Sequence, residues 1–140
     1  MNEYKWEEID LSKEYKAEFS VEITEEMMEK FRMISGDDNP LHIDSDYAKA
    51  EGYQGRVVYG MLTSSLYSRL AGMYLPGKYC LLQRVDVHFH KPVYIGDKLT
   101  VSGYIKKKVE VGQTIVVSAQ IENQNGMIIS TAKIEAGCLK

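Results

Sequence analysis

A chain of 140 residues with 44% hydrophobic content has the length and core material of one ordinary domain, spanning 1–140. A net charge of −3 argues against a general nucleic-acid binder, which needs a basic face to displace counterions. No apolar run approaches the roughly 20 residues of a membrane span, and Met1-Asn2-Glu3-Tyr4-Lys5-Trp6 lacks the basic-then-apolar order of a signal peptide, so no membrane partner and a cytosolic protein are expected.

In chain order, Tyr15 to Ile23 alternates apolar and polar residues and predicts a half-buried strand. Thr24 then changes the period. It suits an N-cap, Glu25 and Glu26 favour the first-turn dipole, and Met27, Met28, Phe31 and Ile34 share one helical face. Gly36 ends that helix. Ser45 to Glu51 predicts a short helix stopped by Gly52, and a loop from Tyr53 to Tyr59 leads to a longer helix over Met61–Met73. Its stripe is Leu62, Leu66, Leu70 and Met73, and Arg69 is its one charge, so burial on most sides is expected.

Strand-like segments follow at Cys80–His90, Lys98–Lys108, Thr114–Gln124 and Met127–Ala136. Asn125-Gly126 between alternating runs is a strong hairpin signal, so the last two strands should pair antiparallel. A strand, helices and four further strands predict an α+β layer, a curved antiparallel sheet wrapped around the long helix. Such a sheet leaves edges that a second subunit covers economically, so a homodimer is expected. Cys80 and Cys138 are far apart and outside any Cys-x-x-Cys spacing, which predicts buried free thiols.

The chemistry concentrates in Ser35-Gly36-Asp37-Asp38-Asn39-Pro40-Leu41-His42-Ile43-Asp44, where a carboxylate and an imidazole flank a Gly/Asn/Pro turn. That pairing suits acid–base work. Further on, Gly55-Arg56-Val57-Val58-Tyr59-Gly60-Met61-Leu62 places Gly60 at the start of a helix, where free N–H groups and the helix dipole favour a developing oxyanion. Asn39 fixes the turn through local backbone and Pro40 stiffens it.

These two motifs, with Phe89-His90-Lys91-Pro92-Val93-Tyr94-Ile95-Gly96-Asp97 in the same order, resemble the MaoC-like family of (R)-specific enoyl-CoA hydratases over nearly the whole chain. The resemblance implies a hotdog fold, a homodimer, and an acyl-CoA or acyl-carrier-protein thioester held in a tunnel near the subunit interface. It also implies reversible hydration of a trans-2-enoyl thioester to the (R)-3-hydroxyacyl thioester without a cofactor or metal. Asp37 and His42 would flank one water, one deprotonating it and the other relaying a proton; which does which stays open. The family commonly has histidine where this chain has Tyr59, which bears on pocket shape and acyl preference. Asp38 is set aside, because the matching pattern places the carboxylate directly after glycine.

Taken alone, Gly36 to Pro40 would be an ordinary helix C-cap and Asx turn. His88 and His90 share one face of a strand and would need His42 to make a metal site; a solvated or interface face suits them better. Lys106-Lys107-Lys108 reads as a solvated hairpin end, and secondarily as a contact for coenzyme A phosphates. Ser64, Ser65 and Ser68 read as packing residues, with Ser68 also within reach of the Asp37 turn in a supporting role. A hotdog thioesterase and a non-catalytic acyl-thioester binding module are the competing functions.

Overall fold

The computed structural model describes residues 1–140. A 3-10 turn at Trp6–Glu8 precedes β1 (Lys16–Glu22), α1 (Glu25–Ser35), α2 (Pro40–Ile43), α3 (Ser45–Ala50), α4 (Gly60–Met73), β2 (Cys80–Phe89), β3 (Lys98–Val109), β4 (Thr114–Glu122) and β5 (Ile128–Cys138). The strands form one sheet in the order β1-β3-β4-β5-β2, every pair antiparallel. It curls around α4 as the hotdog fold requires. No helix is long and apolar enough to cross a membrane.

Local chemistry accounts for the first helix. The Thr24 hydroxyl accepts the Met27 N–H at 3.2 Å, and Gly36, at φ 68°, closes the helix by donating its N–H to the Arg32 carbonyl. Met28 is fully buried and Met27 and Phe31 are half-buried, but Ile34, expected on the same face, is exposed with Met33. The last turn of α1 stands clear of the sheet and leads into the Asp37 turn.

The long helix is rotated from its expected setting. Its core face is Thr63, Tyr67, Leu70 and Ala71; Leu62 and Leu66 only flank it, and Met73 is exposed. A count of aliphatic residues overlooks Tyr67, whose hydroxyl shares a 2.7 Å hydrogen bond with the buried Ser130 hydroxyl. Burial pushes that phenol up to about 12, so it stays neutral. Met61, Ser65, Ser68, Arg69 and Met73 are exposed, so α4 is not covered on most sides within one chain.

The sheet can approach α4 closely because its register aligns small residues. Ala17 stands opposite Gly103, Gly103 opposite Ala119, Ala119 opposite Ala132, and Ala132 opposite Val87. A Cβ on Gly103 would lie 2.8 Å from Leu70 Cδ2 and 3.0 Å from the Ser118 carbonyl oxygen, so this row is the inner face. On the opposite face is the largest concavity, an open trough of about 730 Å³ lined by residues such as Ser102, Ser118, Thr131 and His88. His88 lines this trough, and His90, just past the end of β2, shares a 2.9 Å hydrogen bond with Thr131 while also bordering a cavity with His42 and Gly60.

Two other expectations are met in part. The Lys106–Lys108 run does lie at the end of the β3–β4 hairpin, with Lys106 and Lys107 exposed, but Lys108 turns inward and donates to the Trp6 and Ile9 carbonyls at 2.6 and 2.9 Å with its ammonium 4.2 Å from the Trp6 ring centroid. That clamp holds the N-terminal segment on the core. Cys80 and Cys138, distant in sequence, are direct cross-strand partners, and both are free thiols. Burial, and then its neighbour Cys138, pushes the Cys80 thiol up to about 11.

Candidate active site

Asn39 and Pro40 build the turn that carries Asp37 and His42. Asn39 is the N-cap of α2, its side-chain oxygen accepting the Leu41 N–H at 2.9 Å, and Pro40 takes the first helical position, where its missing N–H costs nothing. This extra helical turn, absent from the sequence reading, carries His42. Asp37 Oδ1 accepts the Asn39 N–H at 3.0 Å, while Oδ2 has no partner in the chain. Asp38 instead pairs with Arg32, Nε to Oδ1 at 2.6 Å, and does not line the cavity that holds Asp37.

The tautomer of His42 follows from the one hydrogen bond its ring makes. Nδ1 lies 2.7 Å from the Val57 carbonyl oxygen. A carbonyl can only accept, so Nδ1 carries the proton and Nε2 of the neutral ring is left with its lone pair. The tautomer that can take a proton through Nε2 is thereby selected.

Gly60 is the first residue of α4, and its N–H and that of Met61 have no acceptor within the helix. A Cβ here would meet the Phe89 ring at 3.0 and 3.2 Å, so glycine lets the aromatic ring pack against the helix terminus. The third motif sets this terminus in place. The Val58 N–H donates to the Val93 carbonyl at 2.8 Å, Val57 bridges to Tyr94, and Asp97 Oδ2 accepts the Tyr94 N–H.

Asp37, His42, Tyr59 and Gly60 line one cavity of about 360 Å³ with Phe31, Ser35, Met61 and Phe89. His42, Gly60 and Phe89 also border a second lobe of about 310 Å³, which extends toward Tyr53, Lys91 and Ser130. The predicted acid–base pair and oxyanion donor therefore meet in one place. Ser68 does not join them. It lies about 12 Å along the helix from Gly60 at the usual rise per residue, and lines a separate groove with Met61, Ser64, Leu82 and Phe89.

Arg56 received no role from sequence. Its side chain is only 15% exposed, and Nε donates to the His42 carbonyl at 2.7 Å while Nη1 and Nη2 reach Glu25 and Glu29 of α1 at 3.3 and 2.9 Å. It ties the histidine turn to the first helix. Arg56→Ala is expected to cost about 1.5–3 kcal/mol of stability, the worth of hydrogen bonds to a charged group, discounted because both glutamates are solvated. A lowered midpoint in urea unfolding checks this; an unchanged midpoint would make the clamp energetically neutral.

A curved antiparallel sheet around a helix whose N-terminal residue shares a cavity with an Asp and a His defines a hotdog protein. Residues 8–127 match the family described as MaoC like domain, and the chain belongs to that family. It is 32% identical over 103 residues to an (R)-specific enoyl-CoA hydratase from Aeromonas caviae, covering 74% of this chain and 77% of that one. A mitochondrial 3-hydroxyacyl-acyl-carrier-protein dehydratase from Arabidopsis thaliana is 39% identical over 74 residues, 53% of this chain, and the match spans under half of that relative, 43% of its length. Among solved structures, the unliganded R-hydratase from Pseudomonas aeruginosa superposes with a TM-score of 0.86 at 28% identity, covering 96% of this chain and 84% of that one. The A. caviae (R)-hydratase gives 0.83 at 29%, covering 88% and 93%.

Proposed function

We propose that this protein is a cytosolic hydro-lyase that interconverts trans-2-enoyl and (R)-3-hydroxyacyl thioesters of coenzyme A or acyl carrier protein. The observation that carries the reading is the convergence of Asp37, His42 and Gly60 on one cavity with the His42 tautomer selected by Val57. In the hydration direction, the Asp37 carboxylate orients a water and His42 Nε2 takes its proton as the oxygen attacks Cβ. The electron pair of the double bond moves toward the thioester carbonyl, where the Gly60 N–H meets the growing negative charge. The imidazolium then returns the proton to Cα on the same face, giving syn addition and a neutral histidine. Dehydration is the same path reversed.

We further infer that the working unit is a homodimer. Edge strand β2 lacks a partner on one side, and the exposed Leu81, Leu82, Phe89 and Met61 lie along it and at the cavity mouth. A second copy would cover that edge and complete the tunnel wall.

Incubation with crotonyl-CoA tests the function, read by enoyl-thioester absorbance, a free-thiol assay and chiral analysis, with light scattering on the same sample for the dimer. (R)-3-hydroxybutyryl-CoA formed without thiol release is the expected result, from particles of twice the chain mass. Thiol release would assign a thioesterase, and tight acyl-thioester binding without turnover on any chain length would assign a binding module.

A further inference from the structure

Asp37 is exposed, and the turn that carries it is held mainly by local bonds, the Asp37 N–H donating to the Ser35 hydroxyl oxygen and the Asp37 carboxylate accepting the Asn39 N–H. One hydrogen bond reaches its peptide from elsewhere in the fold. The Tyr59 hydroxyl donates to the Asp37 carbonyl at 2.7 Å. The same side chain, 2% exposed, sets its ring 4.2 Å from the His42 ring at an interplanar angle of 30°, with the Phe31 ring 5.0 Å away. Its backbone is the N-cap of α4, and its carbonyl accepts the Leu62 and Thr63 N–H groups. A single residue is thus joined to the carboxylate turn, to the imidazole and to the helix that presents Gly60.

We propose that Tyr59 is a positioning residue that fixes Asp37, His42 and the N-terminus of α4 relative to one another, a role that rests on the hydratase reading above. The hydrogen bond from Nδ1 to Val57 leaves the imidazole free to tilt about that contact, and the Tyr59 ring lies where the tilt would carry it. The phenol holds the other partner by its backbone, so Oδ2 keeps its aim while the carboxylate remains solvated. Burial, and then the charge of Asp37, raises the phenol above its ordinary value, so it remains a neutral donor while the catalytic groups change state. Small losses of alignment are costly in rate because the reacting geometry is narrow.

Two variants separate the ring from the hydroxyl. Tyr59→Phe keeps the ring and is expected to lower kcat on crotonyl-CoA by about three- to tenfold, the worth of one hydrogen bond, with KM within about twofold because ground-state binding is untouched. Tyr59→Leu also removes the ring. Nitrogen NMR of the free protein should then show the His42 signal pass from the single Nδ1–H tautomer of the native protein, retained in Tyr59→Phe, to a mixture of tautomers. A raised KM at unchanged kcat would make Tyr59 a wall of the binding site and overturn the proposal, as would a native kcat in Tyr59→Phe or a native His42 spectrum in Tyr59→Leu. The NMR arm needs no substrate, so a native protein without turnover would remove the hydratase reading while the His42 spectra still decide the positioning role.

Discussion

Asp37→Asn and His42→Ala are each expected to lower hydratase kcat by about 10²–10⁴, the range that positioned acid–base groups supply. Asparagine keeps an oxygen for the Asn39 N–H, so the turn survives while the negative charge that orients the water is lost. Alanine removes the only ring nitrogen in the cavity that can take a proton, and leaves the Val57 carbonyl without its donor. His42→Gln serves as the milder companion, since its amide can still donate to Val57. In the proposed mechanism the two groups act on one water, so the double variant should be little slower than the worse single variant. Retained ellipticity and an unfolding midpoint close to native must accompany the loss. Either single variant keeping more than about a tenth of native kcat would fall outside the range expected of an acid–base group and remove that residue from the mechanism.

The placement of Asp37 and His42 on one turn is legible because its surroundings obey local rules. Asn39 as N-cap, Pro40 at the next position and Gly36 in a left-handed cap are each dictated by neighbours in sequence, and they set where Asp37 and His42 leave the chain. The same holds for the strands, whose alternation and turn residues located all five to within a few positions, and for the antiparallel pairing around Asn125-Gly126. That loop is closed by Asn123, whose side-chain oxygen accepts the Asn125 and Met127 N–H groups.

What sequence could not reveal depends on partners remote along the chain. Arg56 has no pattern that announces Glu25, Glu29 and the His42 carbonyl as its neighbours, and Lys108 reads as one more surface lysine until the N-terminal segment folds beneath it. The buried face of α4 differs from its aliphatic stripe for a related reason. Thr63 and Tyr67 rank low as core residues on a hydropathy scale, yet the tyrosine finds Ser130 on β5 and both side chains are buried. Ser68 shares a helix with Gly60, but helical rise carries it out of the cavity.

Leu70→Ala is expected to destabilise the protein by about 2–5 kcal/mol, the usual cost of emptying a fully buried leucine site. Leu70 has no exposed surface, and it seats against the one position in the inner row of β3 that has no side chain, Gly103. The fit is reciprocal, so the opposite error should also be costly. Gly103→Val would place its Cβ 2.8 Å from Leu70 Cδ2 and 3.0 Å from the Ser118 carbonyl oxygen; the leucine tip can move but the strand carbonyl cannot move cheaply, so about 1–3 kcal/mol is lost to overpacking. Combining the two changes gives valine the volume that leucine vacated. The double variant should therefore be more stable than the sum of the single losses predicts, with a coupling of about 0.5–3 kcal/mol read from urea unfolding midpoints and slopes. Strict additivity would mean that Leu70 and Gly103 do not share a contact, and that something other than the row of small residues brings the sheet onto α4.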